Sequence, residues 1–202
     1  MNLYHRYLNL PVNLGCTVEE LCIQNGIHFD VTKFGPQMPF GHIRLFREQL
    51  PQHFLNWFNT ELNLQLRVIE VFVLPPHYNL LPHSDATDYT REIVKLNIVN
   101  GSDQATMDWY TVNNPKLVGP STTQTGTQYS ITVPSNLTPT YSAPISKPSL
   151  LNVGAFHGVT NQTDQTRWCL SLSLTYINKD NDDTTRILWD DALRIFAPYI
   201  NE

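Results

Sequence analysis

The run RWCLSLSLTYI (residues 167–177) decides the fold. Successive side chains of an extended strand point to opposite faces. Arg167, Cys169, Ser171 and Ser173 therefore share one face, and Trp168, Leu170, Leu172 and Leu174 share the other. The leucine face calls for a core or a covering helix. The polar face belongs to a strand too apolar for an outer edge, so it is expected to line the inside of a barrel, where a polar ligand sits. A buried arginine on that face implies an anionic partner, a carboxylate or a phosphate.

Further strands are expected on both sides of this run. LRVIEVFVLP (66–75), REIVKLNIV (91–99), ATMDWYTV (105–112), TQYSITV (127–133) and SLLNV (149–153) are rich in β-branched and aromatic residues and are separated by turn-like pieces. In the second, Val94, Leu96 and Ile98 alternate with Lys95 and Asn97, which point to the opposite face, toward the cavity. Many short strands at this spacing argue for a sandwich or barrel. Residues 113–148, rich in Thr, Ser, Pro and Gly, read as an exposed insertion holding one hairpin.

Residues 1–65 read as a mostly helical lead-in, with Thr17 and Glu20 as a capping box and a second helix over about 51–62. The 183–200 stretch repeats Ile187, Leu188, Ala192, Ile195, Phe196 and Tyr199 at helical intervals, and Asp183 is its expected cap. The 202 residues are expected to form a single domain, 1–202, with the core over 66–177.

Composition narrows the function. A net charge of −5 argues against a broad nucleic-acid face. No apolar run suits a bilayer span, and the first residues do not resemble a signal peptide. Three cysteines, Cys16, Cys22 and Cys169, make no disulfide framework and fit a cytoplasmic location. Oligomeric state stays open.

The chemistry-bearing residues are His83 and Asp85, two apart in PHSD, His157 after SLLNVGAF, and Arg167 ten residues later. A histidine and a carboxylate at i and i+2 on a strand share one face, and a second histidine on a neighbouring strand completes a three-ligand cap. Two histidines and one carboxylate with open positions opposite suit non-haem Fe(II), and zinc accepts the same donors. The polar turn at 161–166 suggests a hairpin that sets His157 and Arg167 on neighbouring strands. Tyr78 is a further candidate, as is Arg91. His77 is the weaker ligand candidate, because it lies before Pro82 and lacks the carboxylate two residues on.

PHSDATDYTREIVKLNIVN followed by LLNVGAFHGVTNQTDQTRWCLSLSL resembles the 2-oxoglutarate/Fe(II)-dependent dioxygenases, and within them the aspartyl/asparaginyl β-hydroxylase-like branch. The match covers about residues 70–177. It implies a mainly β fold with flanking α-helices, a cupin-like double-stranded β-helix or jelly roll, with the metal at one mouth. It implies His83, Asp85 and His157 as Fe(II) ligands and Arg167 as the grip on 2-oxoglutarate, with Lys95, Asn97 and Tyr78 as secondary contacts. Where the family carries a serine two residues after the arginine, this chain has Cys169, and Ser171 is the candidate substitute. The implied reaction consumes O2 and 2-oxoglutarate, releases succinate and CO2, and hydroxylates a C–H of a peptide, protein or small-metabolite substrate. A cupin-like metal-binding or zinc hydrolytic protein, and a non-catalytic interaction module, remain the competing readings. A hydrolase has no need of a dicarboxylate grip, so Arg167 separates the first of these from the oxygenase.

Overall fold

The computed structural model describes residues 4–34, 40–86, 92–112, 116–122, 128–133, 137–177 and 186–201. Two antiparallel sheets face each other. In the seven-stranded sheet, β13 (Ile200–Asn201) and β1 (His5–Leu8) flank β10 (Ser149–Asn152), then β5 (Val94–Gly101), β12 (Arg167–Tyr176), β3 (Leu64–Leu74) and β2 (Gly41–Leu45) follow in order. The six-stranded sheet runs β7 (Lys116–Thr122), β8 (Gln128–Val133), β4 (Tyr78–Ser84), β11 (His157–Asn161), β6 (Thr106–Trp109) and β9 (Tyr141–Pro144). From β3 to β6, and again from β9 to β12, consecutive strands alternate between the sheets. That winding defines a double-stranded β-helix, or jelly roll.

The alternation of β12 partitions as its sequence requires. Trp168, Leu170, Leu172 and Leu174 join Val71, Val73, Leu96 and Leu150 in a cluster on the outer face of the larger sheet. Cys169 lies instead in the inter-sheet cluster with Leu74, Val99, Leu151, Met107 and Trp109. Two helices cover the outer face. In α1 (Val18–Gln24) the Thr17 side chain accepts from the Glu20 N–H while Glu20 bonds back to Thr17. In α2 (Gln52–Thr60), which follows Pro51, Phe54 and Phe58 are fully buried. Each such aromatic contributes about 1.5–3 kcal/mol of burial free energy.

Three expectations need revision. The lead-in is not mostly helical: β1 and β2 come from it and extend the larger sheet. Strands of four and five residues carry too short an alternation to stand out in a sequence. The 113–148 segment does contain a hairpin, β7–β8, but β8 and β9 also pair with β4 and β6, so the segment extends the smaller sheet. The C-terminal helix, α3, spans only Trp189–Phe196, and its first N–H, that of Trp189, donates to the Glu92 carboxylate rather than to a side chain at the cap position. Asp183 and Arg91 lie outside the described residues.

Candidate metal centre

His83 and His157 meet across the β4–β11 ladder as direct register partners. A bulge arranges this. His157 pairs with His83 but Val159 pairs with Leu80, so β4 carries one extra residue in the Leu81–Pro82 region. Pro82 has no N–H to give to a ladder, and a bulge is where such a residue is tolerated. The extra residue changes the parity of β4, so that both Leu80 and His83 face the interior. Beyond β4, the Asp85 N–H donates to the Val153 carbonyl at 3.0 Å, and the Ser84 hydroxyl donates to the Gly154 carbonyl at 2.7 Å. These bonds fix the His83-Ser84-Asp85 segment against the start of β11.

The donor atoms of His83, Asp85 and His157 all lie within 4.8 Å of one another. Each imidazole is oriented by a backbone carbonyl two residues earlier: His83 Nδ1 donates to Leu81 O at 2.8 Å and His157 Nδ1 to Ala155 O at 2.9 Å. Both rings thereby turn Nε2 toward the centre. Asp85 Oδ1 is 3.5 Å from His83 Nε2 and 4.0 Å from His157 Nε2. Burial drives the His157 pKa down to about 3, and the nearby His83 adds to this, so the ring is neutral, the form that ligates. Burial alone would raise the Asp85 pKa. The Lys95 ammonium outweighs it and holds the carboxyl well below its usual range. Two imidazoles oriented by backbone carbonyls and one ionised carboxylate fit a divalent metal.

The structure brings other predicted residues to the same interior face. Lys95 is buried, with Nζ 2.8 Å from Asp85 Oδ2 and 3.3 Å from Glu70 Oε2. Those two carboxylates, against the opposing effect of burial, raise its pKa and keep it charged. Asn97 and Ser171 are buried cross-strand partners. Arg167 is buried at the start of β12, paired with Gly101 on one side and Leu74 on the other. Among the described residues no carboxylate pairs with it, and its Nε and the Asn97 Oδ1 have no hydrogen-bond partner. Burial pushes the Cys169 thiol pKa up, against the opposing effect of the Arg167 guanidinium. Tyr78 sits at the opposite end of β4 from His83, beside Phe40, and its pKa is raised by burial.

One geometric expectation fails. His157 and Arg167 are not on hairpin neighbours, because β11 and β12 belong to different sheets. The 161–166 turn crosses between them. Asn161 organises the crossing: its amide donates to the Pro75 and Gln165 carbonyls, and its oxygen accepts from Thr163. A polar turn of that length looks the same in a sequence whether it closes a hairpin or changes sheet. His77 has positive φ and pairs with Asp164 in solvent, away from the cluster. Trp109 is core, donating its indole N–H to the Asn152 carbonyl.

Two further residues join this network: Glu70, which the sequence does not single out, and His42, which reads in the sequence as a surface or core residue of the lead-in. Glu70 has no solvent exposure and accepts from His42 Nε2 at 3.1 Å as well as from Lys95. The signal was present: in LRVIEVFVL, Glu70 shares a strand face with Phe72 and Leu74.

The chain is thus a double-stranded β-helix protein with a His/Asp/His candidate metal site between its sheets. No family model and no curated protein sequence matches it. Similar solved structures include EvdMO1, at 10% identity and a TM-score of 0.48 over 86% of this chain. The chain spans about half of that protein, 46% of its length. Another is the viral collagen prolyl hydroxylase vCPH from Paramecium Bursaria Chlorella virus-1, in a 2OG complex, at 12% identity and a TM-score of 0.38 over 87% of this chain and 97% of that one. A third is an RmlC-like cupin from Desulfovibrio desulfuricans, at 15% identity and a TM-score of 0.29 over 72% of this chain and 92% of that one. At these values the likenesses carry no argument about activity, and the fold rests on the strand order. Among the described residues no helix is long and apolar enough to cross a membrane.

Proposed function

We propose that the protein is an Fe(II)- and 2-oxoglutarate-dependent dioxygenase that hydroxylates an unactivated C–H of a peptide, protein or small-metabolite substrate. One observation carries this reading: a three-donor metal cluster and a buried arginine, which has no carboxylate partner among the described residues, share the interior of one barrel. His83, Asp85 and His157 would hold the iron on one side and leave the opposite side open. When bound, the metal and 2-oxoglutarate supply the oxidation, with succinate and CO2 as products.

The chain's own residues bind and orient. The Leu81 and Ala155 carbonyls hold the two imidazoles in the ligating tautomer. Arg167 receives the distal carboxylate of the co-substrate, and Asn97 and Ser171, opposite each other four residues further along the same ladder, offer further polar groups on that face. The apolar inter-sheet residues exclude water from the end of the site. The aspartyl/asparaginyl branch rests on the sequence resemblance alone. A cytoplasmic setting remains part of the proposal.

The test is turnover. Purified protein given Fe(II), 2-oxoglutarate and ascorbate should yield succinate, slowly even without a primary substrate. Iron-loaded protein that forms no succinate, with or without candidate peptides, would overturn the reading.

A further inference from the structure

We propose that the buried pair Glu70–Lys95 is a positioning clamp that makes Asp85 a one-oxygen metal ligand through Oδ1. The inference deepens the metal-site reading given above. The two oxygens of Asp85 have different partners: Oδ2 is held by Lys95 Nζ at 2.8 Å, and Oδ1 faces the Nε2 atoms of His83 and His157 at 3.5 and 4.0 Å. A carboxylate with one oxygen committed to an ammonium has one left for a metal.

The ammonium is itself fixed. Glu70 Oε2 lies 3.3 Å from Nζ, Glu70 has no exposure, and its Oε1 accepts from His42 Nε2 at 3.1 Å. The His42 ring is stacked on Phe72, with centroids 4.4 Å apart and planes 8° from parallel. The chain of contacts therefore runs from an aromatic stack on β2 and β3, through Glu70 and Lys95, to the metal-facing carboxylate. It assigns Lys95 a place behind Asp85 rather than against a co-substrate. Its chemical consequence is geometric: Asp85 occupies one coordination position, and the positions opposite the cluster stay open for exchangeable ligands.

The sign of one measurement separates this role from plain electrostatics. Lys95 is a cation beside a cation site, so through charge alone its removal should tighten metal binding. Through lost positioning, removal should weaken it, on the scale of the 10–100-fold losses seen when outer partners of ligands are removed. Co(II) serves as the probe, with its dissociation constant and ligand-field absorption spectrum as readouts. Wild type, Lys95→Met and the double variant Glu70→Gln/Lys95→Met are compared, each checked for folding by circular dichroism. The double variant removes both buried charges at similar volume, so the comparison survives if Lys95→Met alone does not fold.

The expected result is weaker Co(II) binding by about tenfold or more and an altered ligand-field spectrum in the folded variants. Binding as tight as wild type or tighter, with an unchanged spectrum, would overturn the clamp while leaving the metal site standing. Wild-type protein that takes up no Co(II) would overturn the metal site and the clamp together. Co(II) binding without any succinate-forming activity of the iron-loaded enzyme would count against the proposed reaction and leave the clamp intact.

Discussion

His83 and His157 are exact register partners on adjacent antiparallel strands, with ring centroids 4.3 Å apart and each Nδ1 tied to a carbonyl two residues earlier. The site is therefore preorganised by backbone geometry. The ligand atoms converge through the ladder and its bulge, and little side-chain entropy remains to be lost when a metal enters.

Metal should accordingly stabilise the folded protein. A divalent ion at about one hundred times its dissociation constant adds about 2.7 kcal/mol, read as a rise in Tm that a chelator reverses. Asp85→Ala should abolish the rise, since among the described residues it removes the one carboxylate of the cluster. An undiminished rise in Asp85→Ala would place the metal elsewhere.

Arg167→Ala should leave Co(II) affinity close to wild type and weaken 2-oxoglutarate binding by about one hundredfold, the scale of a lost charge-assisted pair of about 1.5–3 kcal/mol. Titration calorimetry of the Co(II)-loaded protein measures both. Unchanged co-substrate affinity would remove Arg167 from the site.

Much of this was legible beforehand, and for physical reasons. Period-two alternation in β12 and β5 reports burial directly, because a two-layer β fold gives each face a distinct environment. His83 and Asp85 were legible as an i, i+2 pair. What escaped was pairing at a distance. Nothing local to residues 161–166 says that β11 and β12 part company into different sheets. Likewise Glu70 is a single acid in an apolar strand, and its partners, His42 and Lys95, lie 28 and 25 residues away in sequence. A buried charge is intelligible only once its counter-charge is known.

Gly101 connects fold to site. Its φ is +92°, and a Cβ there would sit 2.1 Å from the Thr166 carbonyl oxygen. Gly101 is also the register partner of Arg167. Gly101→Ala should cost about 1–3 kcal/mol from the backbone conformation alone, seen as a lowered denaturant midpoint. Because the collision is with the residue before Arg167, 2-oxoglutarate affinity should fall more than Co(II) affinity. Equal losses in both would show a general destabilisation with no specific effect on the arginine.

His5 supplies a pH signature that is independent of the metal site. It is buried in an aromatic cluster, its Nδ1 sharing a hydrogen bond with the Tyr141 hydroxyl at 3.0 Å and its ring near Trp109. Burial first, and Arg6 second, lower its pKa from 6.5 to about 4. The folded protein thus resists protonation that the unfolded chain accepts. As pH falls below about 6.5 the unfolded state gains a proton and stability declines; below about 4 both states are protonated and the loss levels off. The shift corresponds to about 3 kcal/mol in full, of which about 2 kcal/mol should be lost by about pH 5. Denaturant unfolding of wild type and His5→Gln at about pH 7 and about pH 5 isolates the effect, because all other titrating groups are common to both. The gap between the two proteins should change in favour of His5→Gln at the lower pH. A gap that stays constant would mean that His5 takes up its proton in the folded state as readily as in the unfolded chain.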